Sequence, residues 1–252
     1  MRMTKTRLYY RLSVKDYVEA WAGWTPITQL TEAAGKRFGE REEAFFSTLF
    51  LTGGRVSEVL NLRRSNFEAR REEGLIVVRN MLLLKRYKKL RQYEAADGEK
   101  TAKKWVTQRL QKTRKPFPIQ MQEPLTPKLL GWIEKSANLL FPSPYKTDRP
   151  LSRFWAYKTV RKLDESLSSD LKESLGLNKP FVVDGRQVGD ALHLWLHWFR
   201  SQRASQLVND YGFEVVDLID YFSWEHYGTA LTYARRGWRG LASKMQPTAY
   251  YV

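Results

Sequence analysis

Two adjacent glycines, Gly53 and Gly54, lie between two helical patterns in LFLTGGRVSEVLNL (49–62), and they constrain this chain more than any other feature. Upstream, EREEAFFSTLFL (40–51) opens with acids and carries Ala44, Phe45, Leu49 and Phe50 on one face, which predicts a core helix. A glycine pair ends such a helix because glycine takes the left-handed backbone angles of a tight exit without steric cost. Downstream, Val59, Leu60 and Leu62 predict a second helix beginning near Arg55. The residues alone leave two readings of Arg55. Either it is solvated in a first turn that Ser57 or a neighbour helps to start, or the bend holds its guanidinium towards a cleft.

The rest of the pattern is mainly helical. Residues 13–23 read as a short helix and 24–40 as a loop with a helical piece. GLIVVRNMLLL (74–84) is the clearest strand, and KPFPIQ (115–120) is its candidate partner, restricted to an edge or an exit position by its prolines. Helices are predicted over 126–140, with Thr126 as cap and Pro127 first, over 151–167, and over 187–209, ended by Asn209 and Gly212. FEVVDLIDYF and YGTALTYARRG follow. The expected fold class is therefore mixed, mainly α with a small antiparallel β-sheet. Nothing between 40 and 237 reads as a linker. We expect one main domain there, an N-terminal extension over 1–39 and a tail over 238–252.

Charge points to the partner. Lys and Arg number 43 against 27 acids, a formal charge of +16, which favours a polyanion and above all nucleic acid. Between 79 and 115 there are 13 basic and 3 acidic residues, interleaved with Tyr87, Tyr93 and Trp105 inside the expected hairpin. That mixture favours contact with a nucleic-acid backbone, with Arg79, Lys88, Lys89, Lys103, Lys104, Arg114 and Lys115 as candidates. No run of 18 apolar residues and no secretory pattern is present, so an intracellular, cytoplasmic, DNA-associated protein is expected, with no membrane. The absence of cysteine removes disulfides, Cys-based zinc sites and thiol nucleophiles, and His193, His197 and His226 are few for a metal site. No metal and no cofactor are expected.

Three segments carry a resemblance. TGGRVSEVLNL matches T-G-x-R-x-S-E-x-x-x-L at Thr52, Gly53, Arg55, Ser57, Glu58 and Leu62; HWFR supplies an H-x-x-R at His197 and Arg200; and Trp224 precedes Tyr233 by nine residues. In this order they resemble the tyrosine recombinase (phage integrase) family, over about residues 40–237. The resemblance implies that family's catalytic-domain fold, of the DNA breaking-rejoining enzyme type, and a site-specific recombinase or integrase acting on double-stranded DNA. It implies Tyr233 as nucleophile, forming a 3′-phosphotyrosine, and Arg55 and Arg200 gripping the phosphate oxygens. His197 would act as general base or proton mediator, Trp224 would pack near Tyr233 and donate its indole N–H, and Glu58 would orient an arginine or histidine. A lysine acid is also implied, as Lys85 or Lys112. Asn66, where the family's box ends in Asp, is expected to order a turn.

Assembly as a homo-tetramer on DNA from a monomer in solution follows from the resemblance alone. So does docking of the tail into a neighbour through Leu241, Met245 and Tyr250, for which a loose basic tail is the alternative. A telomere resolvase or type IB topoisomerase-like enzyme would use the same residues. A catalytically silent DNA-binding protein of this fold is the alternative of a different class. An unrelated RNA-binding protein would need stacking motifs on strands, and none is clear.

Overall fold

The computed structural model describes residues 21–83, 113–177, 181–183, 186–189 and 193–233, with 181–183, 186–189, 232 and 233 placed by their backbone alone. Helix α1, Trp24–Phe38, is continuous where a loop and a shorter piece are expected. Pro26 sits in its first turn, where an N–H has no intrahelical partner to lose. Ile27, Leu30, Thr31 and Ala34 then recur at helical spacing as its buried face.

Helix α2, Glu40–Thr52, is the core helix the apolar pattern predicts, but every residue from Ala44 to Thr52 is buried, not one face alone. Its aromatic side chains reach in several directions: Phe45 meets Phe141 and Trp155 edge-on, Phe46 stacks on Phe199, and Phe50 meets Trp21 and Trp24. Each such burial contributes roughly 1.5–3 kcal/mol. The buried hydroxyls of Ser47, Thr48 and Thr52 donate to the carbonyl four residues back, at 2.8, 2.7 and 2.6 Å, so α2 carries polar residues inward with their hydrogen bonds made. Helix α3, Val56–Leu60, follows the glycine pair.

A three-stranded antiparallel sheet comes next, β1 Phe67–Arg70, β2 Leu75–Val78 and β3 Phe117–Gln120, with β2 central. Val78 faces Phe67 on one side and Phe117 on the other. The pairing of 74–78 with 117–120 and the edge position of Pro118 agree with expectation. The strand is shorter than 74–84, ending before Asn80, whose φ of 54° leaves the extended region. At the hairpin base Leu82 bridges Thr113, and the Arg114 N–H donates to the Met81 carbonyl at 2.7 Å. Of the helix expected over 13–23, residues 13–20 lie outside the described residues and 21–23 are not helical; of the basic stretch 79–115, residues 84–112 lie outside them, as does the chain from 234.

Helix α4, Thr126–Lys135, starts on Leu125 as cap, while Thr126 lies inside the first turn and donates its hydroxyl to Gln120. It stops at Ser136, five residues short of the expected end, because Leu140 pairs with Leu62 and Leu139 bridges Arg63. Helix α5, Arg153–Ser166, is capped by Ser152, and α6, Ser169–Ser174, by Ser168. A two-stranded ribbon, β4 Phe181–Val183 and β5 Arg186–Gly189, then occupies the beginning of the predicted 187–209 helix. Helix α7 is therefore Leu196–Asp210. Helices α8, Val215–Phe222, and α9, Tyr227–Tyr233, close the described part, and α9 packs on both α7 and α8.

Candidate active site

The glycine bend bears on the surroundings of Arg55. Gly53 caps α2 in the left-handed region, φ 53° and ψ 25°. A Cβ there would stand 2.4 Å from the Phe222 ring, and one on Gly54 would stand 2.4 Å from the Met81 methyl and 2.8 Å from Val59. Both positions exclude side chains because α8, the hairpin base and α3 converge on them.

Arg55 is the N-cap of α3. The Glu58 carboxylate accepts from the Arg55 N–H at 2.8 Å through Oε2, and from the Arg55 guanidinium at 2.7 Å through Oε1. The carboxylate is buried at 1% exposure, whereas the Arg55 side chain keeps 38% of its surface open. One end of the guanidinium is thus fixed by a buried anion, and Arg55 is not a freely solvated residue.

Arg200 reaches the same place from α7. Its Nη1 donates to the Gly53 carbonyl at 2.6 Å and lies 4.0 Å from Glu58 Oε2. Its guanidinium sits 4.6 Å over Phe222 and 5.4 Å over Trp224, two rings stacked on each other at 4.6 Å. Glu58 therefore lies between two arginines that are 145 positions apart in the sequence. His197 is half-buried in the first turn of α7, one turn before Arg200. Tyr233 ends α9, with its side chain outside the described atoms.

The other candidates divide. Lys85, Lys112, Lys88, Lys89, Lys103 and Lys104 lie outside the described residues. Arg79 is exposed and meets Glu68 at 2.7 Å, and Lys115 is exposed and meets Asp220 at 2.5 Å. Arg114 is different from both. It is 2% exposed, so its described position does not fit the expected DNA contact. Its Nε donates to the Tyr221 carbonyl at 2.6 Å and its Nη1 to the Thr52 carbonyl at 2.7 Å, with the guanidinium 3.8 Å over Phe117. Burial, then the neighbouring Arg200 charge, lower its pKa to about 9. Asn66 orders the turn before β1, accepting from the Arg63 N–H and donating to the Arg79 carbonyl.

Sequence reading missed a second buried network. Arg203, one turn beyond Arg200, donates to Glu123 at 2.7 Å, to Gln206 at 2.9 Å and to the Tyr221 hydroxyl at 3.0 Å. Tyr221 in turn donates to the Leu51 carbonyl, and Tyr211 to Glu123. The available signal was the recurrence of Arg200, Arg203 and Leu207 on one helical face, which puts charge and core on the same side.

No protein-family model matches the chain, and no curated protein does. Among solved structures it is similar to XerA recombinase, at TM-score 0.51 and 18% identity over 89% of this chain and 64% of the other. It is also similar to XerH site-specific recombinase, solved bound to its difH substrate before cleavage, at TM-score 0.50 and 14% identity over 88% of this chain and 52% of the other. The chain thus spans between about half and two thirds of the length of these structures. At such identities the likeness is one of fold, and the chain has the mainly helical, small-sheet fold of the tyrosine recombinase catalytic domain.

Proposed function

We propose that this protein is a DNA strand-transfer enzyme, a site-specific recombinase or integrase working through a covalent 3′-phosphotyrosine at Tyr233. The observation that carries this reading is the placement of Glu58 between Arg55 and Arg200 at the glycine bend, beside the two helices on which the Tyr233 helix packs. A phosphodiester under attack spreads negative charge over its non-bridging oxygens. Two guanidiniums supply paired donors to that charge. The fold likeness to a recombinase solved on DNA supports duplex DNA as the partner.

The Tyr233 hydroxyl attacks phosphorus and the bond to the 5′-oxygen breaks, leaving a phosphotyrosyl ester and a free 5′-hydroxyl. His197 takes the tyrosine proton, and Lys85 or Lys112 gives one to the leaving oxygen. The reverse attack by a new 5′-hydroxyl rejoins the strand without an outside energy source. In this reading residues 40–237 form the catalytic part, the tail over 238–252 docks on a neighbouring subunit, and four copies of a cytoplasmic, otherwise monomeric protein assemble on two DNA sites.

The test is covalent trapping on nicked duplexes carrying candidate target sites, in EDTA. An SDS-resistant protein–DNA adduct that disappears in Tyr233→Phe is expected. Salt-sensitive DNA binding with no adduct on a duplex carrying a known integration site would instead favour a silent DNA-binding protein.

A further inference from the structure

We infer that Arg114 is a positioning residue that ties the base of the basic hairpin to the two walls of the Arg200 cradle. The inference rests on the reading of Arg55 and Arg200 as the phosphate-binding pair.

The two carbonyls that Arg114 binds belong to Thr52 and Tyr221. The residues immediately after them, Gly53 and Phe222, both contact Arg200, one through its carbonyl and the other through its ring. Gly53 and Phe222 also meet each other, since any Cβ on Gly53 would strike that ring. One guanidinium therefore spans the last residue of α2 and the last turn of α8, each one residue before a contact of Arg200. The third anchor is the hairpin itself. The Arg114 N–H donates to Met81, its Nη1 lies 3.7 Å from the Met81 sulfur, and the Met81 methyl lies over Gly54.

Stability alone does not account for this arrangement. A fully buried guanidinium facing carbonyls and rings is desolvated without a carboxylate at bonding distance among the described residues, and its Nη2 has no hydrogen-bond partner among them. A buried apolar side chain would fill the space at lower cost. What an apolar residue cannot supply is a rigid fork reaching two carbonyls on two elements at once. Lysine carries the charge but not the fork. Because Arg114 binds Met81 beside the Leu82–Thr113 bridge, the same bonds fix this described base of the basic run relative to the arginine pair.

The experiment compares wild type, Arg114→Met and Arg114→Lys in the full chain. Thermal unfolding, duplex affinity, adduct formation at saturating DNA, and the side-chain ¹⁵Nε–¹Hε signal of Arg200 are read for each. At a temperature where both variants are folded, unchanged affinity and adduct formation slower by about 100-fold are expected, with lysine failing to rescue. The Arg200 signal is expected to shift and its proton to exchange faster. Adduct formation at the wild-type rate with an unmoved Arg200 signal would overturn the inference. So would a loss of binding, adduct and signal that only follows the unfolded fraction. If Arg114→Met does not fold, Arg114→Lys decides by the same readings. Should wild type form no adduct, the functional reading fails by itself, and the Arg200 signal still decides the role of Arg114.

Discussion

Arg114 and Arg203 are both fully buried, and both grip Tyr221, one at its carbonyl and the other at its hydroxyl. They are stabilised in opposite ways. Burial alone would lower Arg203, but the Tyr221 oxygen and the Glu123 carboxylate hold its pKa above the ordinary value. Arg114 has backbone carbonyls and aromatic faces instead, and burial together with Arg200 brings it down to about 9. The Arg203 pair fastens α7 to α8 and to the turn before α4, a structural task with its charge neutralised in place. Arg114 concentrates positive charge beside the arginine pair, at a cost in stability. A buried arginine with a carboxylate speaks for the fold; one held by carbonyls next to another arginine speaks for what that neighbour must do.

The largest effect is expected at Arg203. Arg203→Met strands the Glu123 charge in the interior and is expected to cost about 3–5 kcal/mol in denaturant unfolding, most of it recovered when Glu123→Leu is added. A single-variant cost below about 1 kcal/mol would mean that the network is not desolvated as described.

Gly53→Ala comes next, since it separates the Arg114 side of the bend from the Arg200 side. A left-handed alanine costs roughly 1–2 kcal/mol and displacing the Phe222 ring about as much again, so a total of about 2–4 kcal/mol is expected. Loss of adduct formation should accompany it.

The pH dependence of stability sharpens the contrast. The unfolded chain keeps Arg114 protonated up to its much higher ordinary value, whereas the folded form releases the proton near 9, so between the two the unfolded state binds more protons. This term makes stability rise with pH above about 9. Tyr221, held protonated above its ordinary 10 by burial, acts in the opposite sense only beyond pH 10. From pH 8.5 to 10, wild type should therefore gain about 1 kcal/mol on Arg114→Met in paired unfolding curves. A flat difference would contradict the description of Arg114.

The smallest effect belongs to an exposed pair. Arg161 meets Glu165 at 3.1 Å with both side chains open to solvent, and Arg161→Ala should change stability by less than about 0.5 kcal/mol. It calibrates how much of the buried effects is due to burial.

The glycine bend and α2 were legible because apolar periodicity and a glycine pair are local signals, and Pro118 marked its strand as an edge for an equally local reason. Strand β1 was not legible: FEAR lies on an exposed edge and shows no alternation, so its pairing with β2 alone makes it a strand. The β4–β5 ribbon was hidden by apolar residues that also fit a helix, although Asp184–Gly185 between Val183 and Arg186 is a hairpin signal. For the candidate site, motif spacing singled out Arg55, Glu58 and Arg200, which the fold brings together. Counting charges over 79–115 could not separate the buried Arg114 from the exposed Lys115 beside it. Only tertiary packing distinguishes them.

The proposed function has Tyr233 covalently joined to DNA, with Arg55 and Arg200 holding the phosphate. Its most direct test is to digest the trapped adduct with protease and nuclease and locate the nucleotide remnant by mass spectrometry. A nucleotide esterified through its 3′-phosphate to Tyr233 is expected, with adduct yield collapsing in Arg55→Ala and Arg200→Ala. A remnant on any other side chain, or a 5′-phosphate linkage, would contradict it.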